Sequence, residues 1–293
     1  MAQGKPATRR HPVGPQLSRR YHRGVPQTKA TRRAAGWVPS QHGAWAMLAI
    51  PYLAGLILRS RDDGLPSYLI PLAGFWVVAY LAFYATSCWL KAPPTRRAGQ
   101  RPPVLTYLCV AALLGLVTIA LAGPGIAWWS LAFLPLLAGA LWLAGRRRER
   151  ALLGGGLTVA AASLMTLVVR FTTPFDLLDA WGSPPATTAV IVAAGVFGYL
   201  FGTVLYVKTM IRQRGVVAWQ IASVGWHVAW TPLTAGLVWT GQLGWGWPVF
   251  FGATTLRAWL MPRLARRRPV SPKQVGLTEV GFSALLILVV VAG

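Results

Sequence analysis

Lysine and arginine fall on every second polar connector of this chain, and that alternation restricts it to folds that cross a membrane repeatedly. Nine apolar stretches alternate with polar connectors. Of 29 basic residues, 26 lie in the N-terminal tail or in the connectors around 91–103, 145–151, 208–214 and 257–273. The exceptions, Arg59, Arg61 and Arg170, share their connectors with four of the six acids, Asp62, Asp63, Asp176 and Asp179. Short cytoplasmic connectors collect Lys and Arg. An odd number of spans then predicts a multi-pass membrane protein with the N-terminus in the cytoplasm and the C-terminus outside.

Only 12% of the residues are charged, about half the usual share, and 55% are hydrophobic. A net charge of +23 on a soluble chain would point to nucleic acid. Here it is divided among short loops, where anionic lipid headgroups account for it. Membrane lipids are therefore the expected partners, and nucleic acid is not. Arg outnumbers Lys 24 to 5, which suits phosphate recognition, although an Arg-, Ala- and Gly-rich genome gives the same bias. Cys88 and Cys109 stand apart from any metal-binding pattern and read as small apolar residues. Residues 1–36 contain nine basic residues and no apolar run, so they read as a disordered basic tail rather than a signal peptide. Residues 37–293 form the expected transmembrane domain.

A bilayer core takes about 20 apolar residues per helix. The spans are expected near 43–58, 67–90, 104–122, 126–144, 152–170, 187–207, 216–239, 247–262 and 275–292, giving an all-α bundle of nine transmembrane helices. Pro51 should kink or break the first. Gly123-Pro124-Gly125 should close a tight hairpin. Trp128, Trp129, Trp245 and Trp247 fall at predicted outer ends, the level tryptophan prefers. Gly198 and Gly202 offer a small-residue packing face. In the connector 171–186, Thr173-Pro174-Phe175-Asp176 reads as a capped short helix. Asp176 and Asp179 have a spacing that would also suit a shared cation, but capping is the expected role.

Polar groups inside a membrane are costly, so their placement carries information. Gln220, Ser223, His227, Thr231 and Thr234 follow spacings of 3, 4, 4 and 3, which puts them on one helical face. His227 near its middle suits proton handling or ligand binding, or a plain hydrogen bond to a neighbour. No metal site is expected. In the second span Tyr80, Tyr84 and Ser87 lead to Lys91, followed by Arg97 and Arg101. In the sixth, Tyr199, Thr203 and Tyr206 lead to Lys208, Arg212 and Arg214. Arg257 sits inside the eighth, and Gln41 and His42 stand just before the first. Lys91, Arg97, Arg101, Lys208, Arg212, Arg214 and Arg257 are the expected anion-binding groups. Tyr80, Tyr84, Tyr206, Gln41, His42, Gln220, Ser223, His227 and Thr231 are the expected pocket lining. Guanidinium and ammonium groups beside a low-dielectric cavity favour phosphate, diphosphate or carboxylate.

Gln41-His42-Gly43-Ala44-Trp45-Ala46-Met47-Leu48, with Tyr206-Val207-Lys208-Thr209-Met210-Ile211-Arg212 later, resembles the YwiC-like family of bacterial membrane proteins from about Gly36 to the end. That resemblance implies a place in the bacterial inner membrane and no particular activity. Nine helices with functional loops after the second and sixth are also similar to the UbiA-type membrane prenyltransferases, whose second-span loop ends in Arg-Pro, here Arg101-Pro102. Those enzymes hold Mg²⁺ on a diphosphate through carboxylates in both loops. In this chain no acid occurs between Asp63 and Glu149 or between Asp179 and Glu279, and Lys208, Arg212 and Arg214 stand in their place. The expectation is a cytoplasm-facing cationic pocket for an anionic lipid or metabolite, with no cofactor. A transporter using the polar stripe, or a degenerate UbiA-like transferase, are the alternatives.

Overall fold

A computed structural model describes Met1 and residues 36–39, 43–62, 64–148, 151–267 and 270–293, without the side chain of Arg267. The expected basic tail, Ser40, Gln41, His42 and Asp63 lie outside the described residues. Among those described there is no strand, and nine helices run for 16 residues or more. They are α1 (Gly43–Asp62), α2 (Leu69–Lys91), α3 (Arg101–Ala122), α4 (Ser130–Gly145), α5 (Leu152–Arg170), α6 (Pro184–Val207), α7 (Val217–Trp239), α8 (Gly246–Arg267) and α9 (Pro272–Ala292).

By length and composition, six helical segments among the described residues can cross a membrane: Leu69–Lys91, Pro94–Ala122, Pro124–Gly145, Leu152–Arg170, Pro184–Arg212 and Pro272–Ala292. Helices α1, α7 and α8 have similar length but more polar sequences. Arg59, Arg61 and Asp62 end α1, the Gln220–Thr234 stripe runs through α7, and arginines occupy the second half of α8. The most apolar of the six segments, Pro94–Ala122, is the least buried. Only 11% of its apolar 18-residue stretch is buried, against 56% for those of Leu152–Arg170 and Pro184–Arg212. Leu105, Leu108, Leu113, Leu116 and Leu121 of α3 all point outward. Apolar side chains displayed on the outside and polar ones kept within suit lipid as solvent.

Local signals set the boundaries. Thr173 and Asp176 form a reciprocal capping box at Pro174–Asp179, Ser271 and Gln274 form another at α9, and Ser183 caps α6 ahead of Pro184. Gly123 turns the chain at φ 89°, a backbone that favours glycine. Helix α1 runs through Pro51 as one helix, so of the expected kink or break the break does not occur. Neighbouring side chains stitch its backbone there: Trp76 Nε1 donates to Leu48 O at 3.0 Å, and Thr166 Oγ1 to Pro51 O at 3.1 Å. The four tryptophans also divide. Trp128 and Trp245 are exposed, but Trp129 and Trp247 are buried, because Trp129 donates to Phe171 O and Trp247 fills the space over Gly195.

Helix α2 packs on α3 and α4, while α1 packs on α5, α6 and α9. Helix α7 pairs with α8 and α6, and α8 touches α9. The three arginines outside the positive connectors meet where α1, α5 and α9 end. Arg59 donates to Val169 O and Arg170 O at 3.2 Å each, and Arg61 to Val290 O at 2.7 Å and Val291 O at 2.6 Å. Arg170, buried, pairs with Asp62 at 2.9 Å. Helix ends leave carbonyls without partners and carry a partial negative charge. These guanidiniums satisfy both needs.

Candidate functional site

Polar side chains from α6, α7, α8 and α9 converge inside the bundle. Arg257 of α8 donates from Nη1 to Glu279 Oε1 of α9 at 2.6 Å, and Thr203 Oγ1 of α6 donates to Glu279 Oε2 at 2.7 Å. Tyr199 donates to Glu279 O and meets Ser283 Oγ, both at 3.1 Å. Arg257, Glu279 and His227 are 4%, 7% and 0% exposed. The guanidinium also stacks over the rings of Tyr206 and Phe282, at 4.4 and 4.5 Å.

The hydrogen bonds fix the tautomer of His227. Nδ1 lies 2.6 Å from Ser223 O, which can only accept, so Nδ1 carries the proton. Nε2, 3.5 Å from Arg257 Nη2, then presents its lone pair to the guanidinium. Gly202 makes this position possible, since a Cβ there would lie 2.6 Å from His227 Nε2. Gly198 likewise makes room for Trp230. The small-residue face of α6 thus seats one aromatic and one imidazole of α7.

Not every donor in this network has a partner. Arg257 Nε, Tyr206 Oη and Ser223 Oγ are buried without a hydrogen bond among the described residues. Each such group costs about 1–3 kcal/mol of lost hydration.

Toward the end of α6 lies an open cleft lined by Thr209, Met210, Arg214, Val216, Gln220 and Arg266, among others. The chain leaves α6 through a π-helical turn, Lys208–Arg212, closed by Gln213 N–H donating to Lys208 O at 2.8 Å. Such turns recur at functional sites. Thr209 Oγ1 ties the turn to Trp219 O at 3.1 Å. Arg214 Nε donates to Met210 O at 3.3 Å and Nη2 to Val270 O at 3.0 Å, and Arg266 reaches Gln220 Oε1 at 3.4 Å.

Of the residues expected to share one site, Tyr206, Ser223, His227 and Arg257 meet in the buried network. Arg214 and Gln220 line the cleft. Lys208 stacks its Nζ 4.2 Å from the Trp219 ring, Arg212 is exposed, and Thr231 bonds within α7 and toward Thr255. The second-span group lies elsewhere, on α2, which packs against α3 and α4. There Arg97 donates to Ala92 O and Leu90 O, closing the end of α2, and Arg147 donates to Lys91 O. Tyr80 and Tyr84 stay half-buried on the same helix, and Arg101 is exposed at the start of α3. Among the described residues no cluster of three His, Cys, Asp or Glu suits a metal. Sequence reasoning missed Glu279 and Arg266. The first had a signal, because it is the lone acid inside the last apolar stretch.

An all-helical bundle with apolar outer faces and an ion pair in its interior defines a multi-pass membrane protein. The chain belongs to the YwiC-like family. The profile described as "YwiC-like protein" matches residues 38–170. The "Uncharacterized protein YwiC" of Bacillus subtilis (strain 168) is 30% identical over 250 residues, covering 83% of this chain and 92% of that one. No solved structure matches. The comparison with UbiA-type prenyltransferases therefore rests on the order of spans and loops.

Proposed function

We propose that the protein binds the phosphate group of an anionic lipid or metabolite in the cleft at the end of α6. The observation that carries this reading is the lining itself: Arg214, Arg266, Gln220 and Thr209 around one opening. A guanidinium carries five N–H donors, and the two bonds of Arg214 to Met210 O and Val270 O hold it in place with donors to spare. Preorganised guanidinium groups favour phosphate. With Nη1 of Arg257 engaged by Glu279 deeper in the bundle, the cleft draws on the outer part of the set expected of the sequence. We place all nine long helices across the bacterial inner membrane with the N-terminus inside. Positive connectors then put the cleft on the cytoplasmic face.

Native mass spectrometry of the purified protein tests the lipid source, comparing retained phosphatidylglycerol with phosphatidylcholine. Inorganic pyrophosphate, read as a rise in unfolding temperature, tests the soluble source. A charge-assisted hydrogen bond contributes about 1.5–3 kcal/mol, so Arg214→Gln with Arg266→Gln should weaken whichever ligand binds by about tenfold or more. Undiminished binding of both probes by this double variant would refute the cleft. Topology is checked separately: a reporter active only outside the cytoplasm should work when fused after Gly293 and fail within 91–103.

A transporter is the second reading, favoured by the buried Arg257–Glu279–His227 network. Ionisable groups inside a membrane bundle commonly mark a substrate or proton path.

A further inference from the structure

The cleft and the buried network are stacked on the same helices. Along α7, Gln220 lines the cleft, Ser223 stands one turn deeper with an unpartnered hydroxyl, and His227 stands one turn deeper again. Along the π-turn and α6 the order is Met210, then Tyr206. Along α8 it is Arg266 and Pro262, then Ala258 and Arg257. Between the two levels lies a small separate hydrophobic cluster of Tyr206, Met210, Ala258 and Val275, with Val224 and Met261 packed on it. Met210 faces both ways, since it lines the cleft and is 1% exposed.

We propose that this layer is a removable plug, and that behind it Arg257 Nε, Tyr206 Oη and Ser223 Oγ form a second, occluded site for a phosphate- or carboxylate-sized oxyanion. The inference rests on the cleft reading and extends it inward. All three unpartnered groups can donate a hydrogen bond, so the complementary ligand is rich in acceptor oxygens. Glu279 occupies Nη1 of the guanidinium and is itself held by Thr203, and the lone pair of His227 faces Nη2. Nε remains for an incoming oxygen. One arginine bridging two acceptors is ordinary guanidinium chemistry.

Two backbone features lie at the level of the plug. The π-turn Lys208–Arg212 contains Met210. Pro262 in α8 has no N–H, so the carbonyl of Ala258 cannot receive its usual helical bond from that residue. Helices bend where the hydrogen-bond ladder is interrupted. A small opening at these two points separates Met210 from Ala258 and Met261 without disturbing the ion pair below.

Cysteine accessibility tests the proposal in the full chain carrying Cys88→Ser and Cys109→Ala. Gln220→Cys reports the cleft and Ser223→Cys the inner site, each reacted with anionic sulfonatoethyl methanethiosulfonate and with its cationic trimethylammonium counterpart. In the closed protein Gln220→Cys should react and Ser223→Cys should be protected. Adding Met210→Ala, which removes buried contacts from the plug, should speed modification of Ser223→Cys by about tenfold or more, with the anionic reagent preferred. Met261→Ala acts at the same layer and serves if Met210→Ala does not fold. The inner site is refuted if neither plug variant changes Ser223→Cys, if Ser223→Cys already reacts as fast as Gln220→Cys, or if the cationic reagent is preferred. Pyrophosphate protection of Gln220→Cys reads the cleft independently. Its presence alongside an unreactive Ser223→Cys in the plug variants would leave the cleft standing and remove only the inner site.

Discussion

Where α1, α5 and α9 finish, Arg59, Arg61 and Arg170 are spent on helix-terminal carbonyls and on Asp62. At the opposite end Arg214 and Arg266 flank an open cleft, and Arg257 lies beneath it with Nε unpartnered. Residue type is the same at both ends, and burial is equally deep for Arg170 and Arg257, at 5% and 4% exposed. What separates them is the supply of acceptors. The first end carries helix-terminal carbonyls that need donors, so Arg59 and Arg61 close helices there, and Arg170 pairs with an Asp62 that solvent reaches. Arg257 enters mid-helix, where backbone carbonyls already have partners, and a single carboxylate from α9 must balance it.

That comparison breaks most readily at the two ion pairs. Removing one partner of a buried pair strands a charge and costs about 3–5 kcal/mol. Glu279→Ala should therefore unfold at markedly lower denaturant or temperature. Asp62→Ala should cost less than Glu279→Ala, since the Asp62 side chain is 41% exposed and solvent screens the pair. Equal losses would mean that both pairs serve the same structural purpose. Replacing both charges, as Arg257→Met with Glu279→Leu, should recover most of the stability lost in Glu279→Ala.

Overpacking sharpens the same contrast. Gly202→Ala pushes a methyl against His227 and should cost about 1–3 kcal/mol. Gly236→Ala in α7, where a Cβ meets nothing within 4 Å, should gain up to about 1 kcal/mol. Modest losses are expected at the helix ends. Arg59→Gln should cost about 1.5 kcal/mol through its lost charged hydrogen bonds. Thr173→Ala should cost about 1 kcal/mol through the lost cap. Both are read from unfolding curves in detergent, and neither should alter phosphate binding.

The positions of the long helices were legible because apolar runs, proline at first turns and capping residues all act locally. Helices α6 and α9 start three residues ahead of the expected 187 and 275, because Ser183-Pro184 and Ser271-Pro272 cap them there. The meeting of Tyr206, Ser223, His227 and Arg257 was partly legible, since each occupies a polar stripe that lipid would reject. Partner choice was not legible. Arg257 finds Glu279 across 22 residues and a helix reversal, and nothing in the spacing of α8 announces α9. The facing of Trp129 and Trp247 was not legible for a related reason. Their position along the span does not say which way they face, and the Phe171 carbonyl and Gly195 on neighbouring elements hold them inward. The α2 group and the α6 group share a sequence pattern, yet helix packing assigns them to different neighbours.

Phosphate binding measured across both ends tests the central claim most directly. Inorganic pyrophosphate should raise the unfolding temperature of the parent protein and of Arg59→Gln by the same amount, with or without a chelator. The shift should fall by most of its size in Arg214→Gln with Arg266→Gln. A shift that survives in the cleft variant, or that disappears in Arg59→Gln or on chelation, would contradict the division of labour between the two ends.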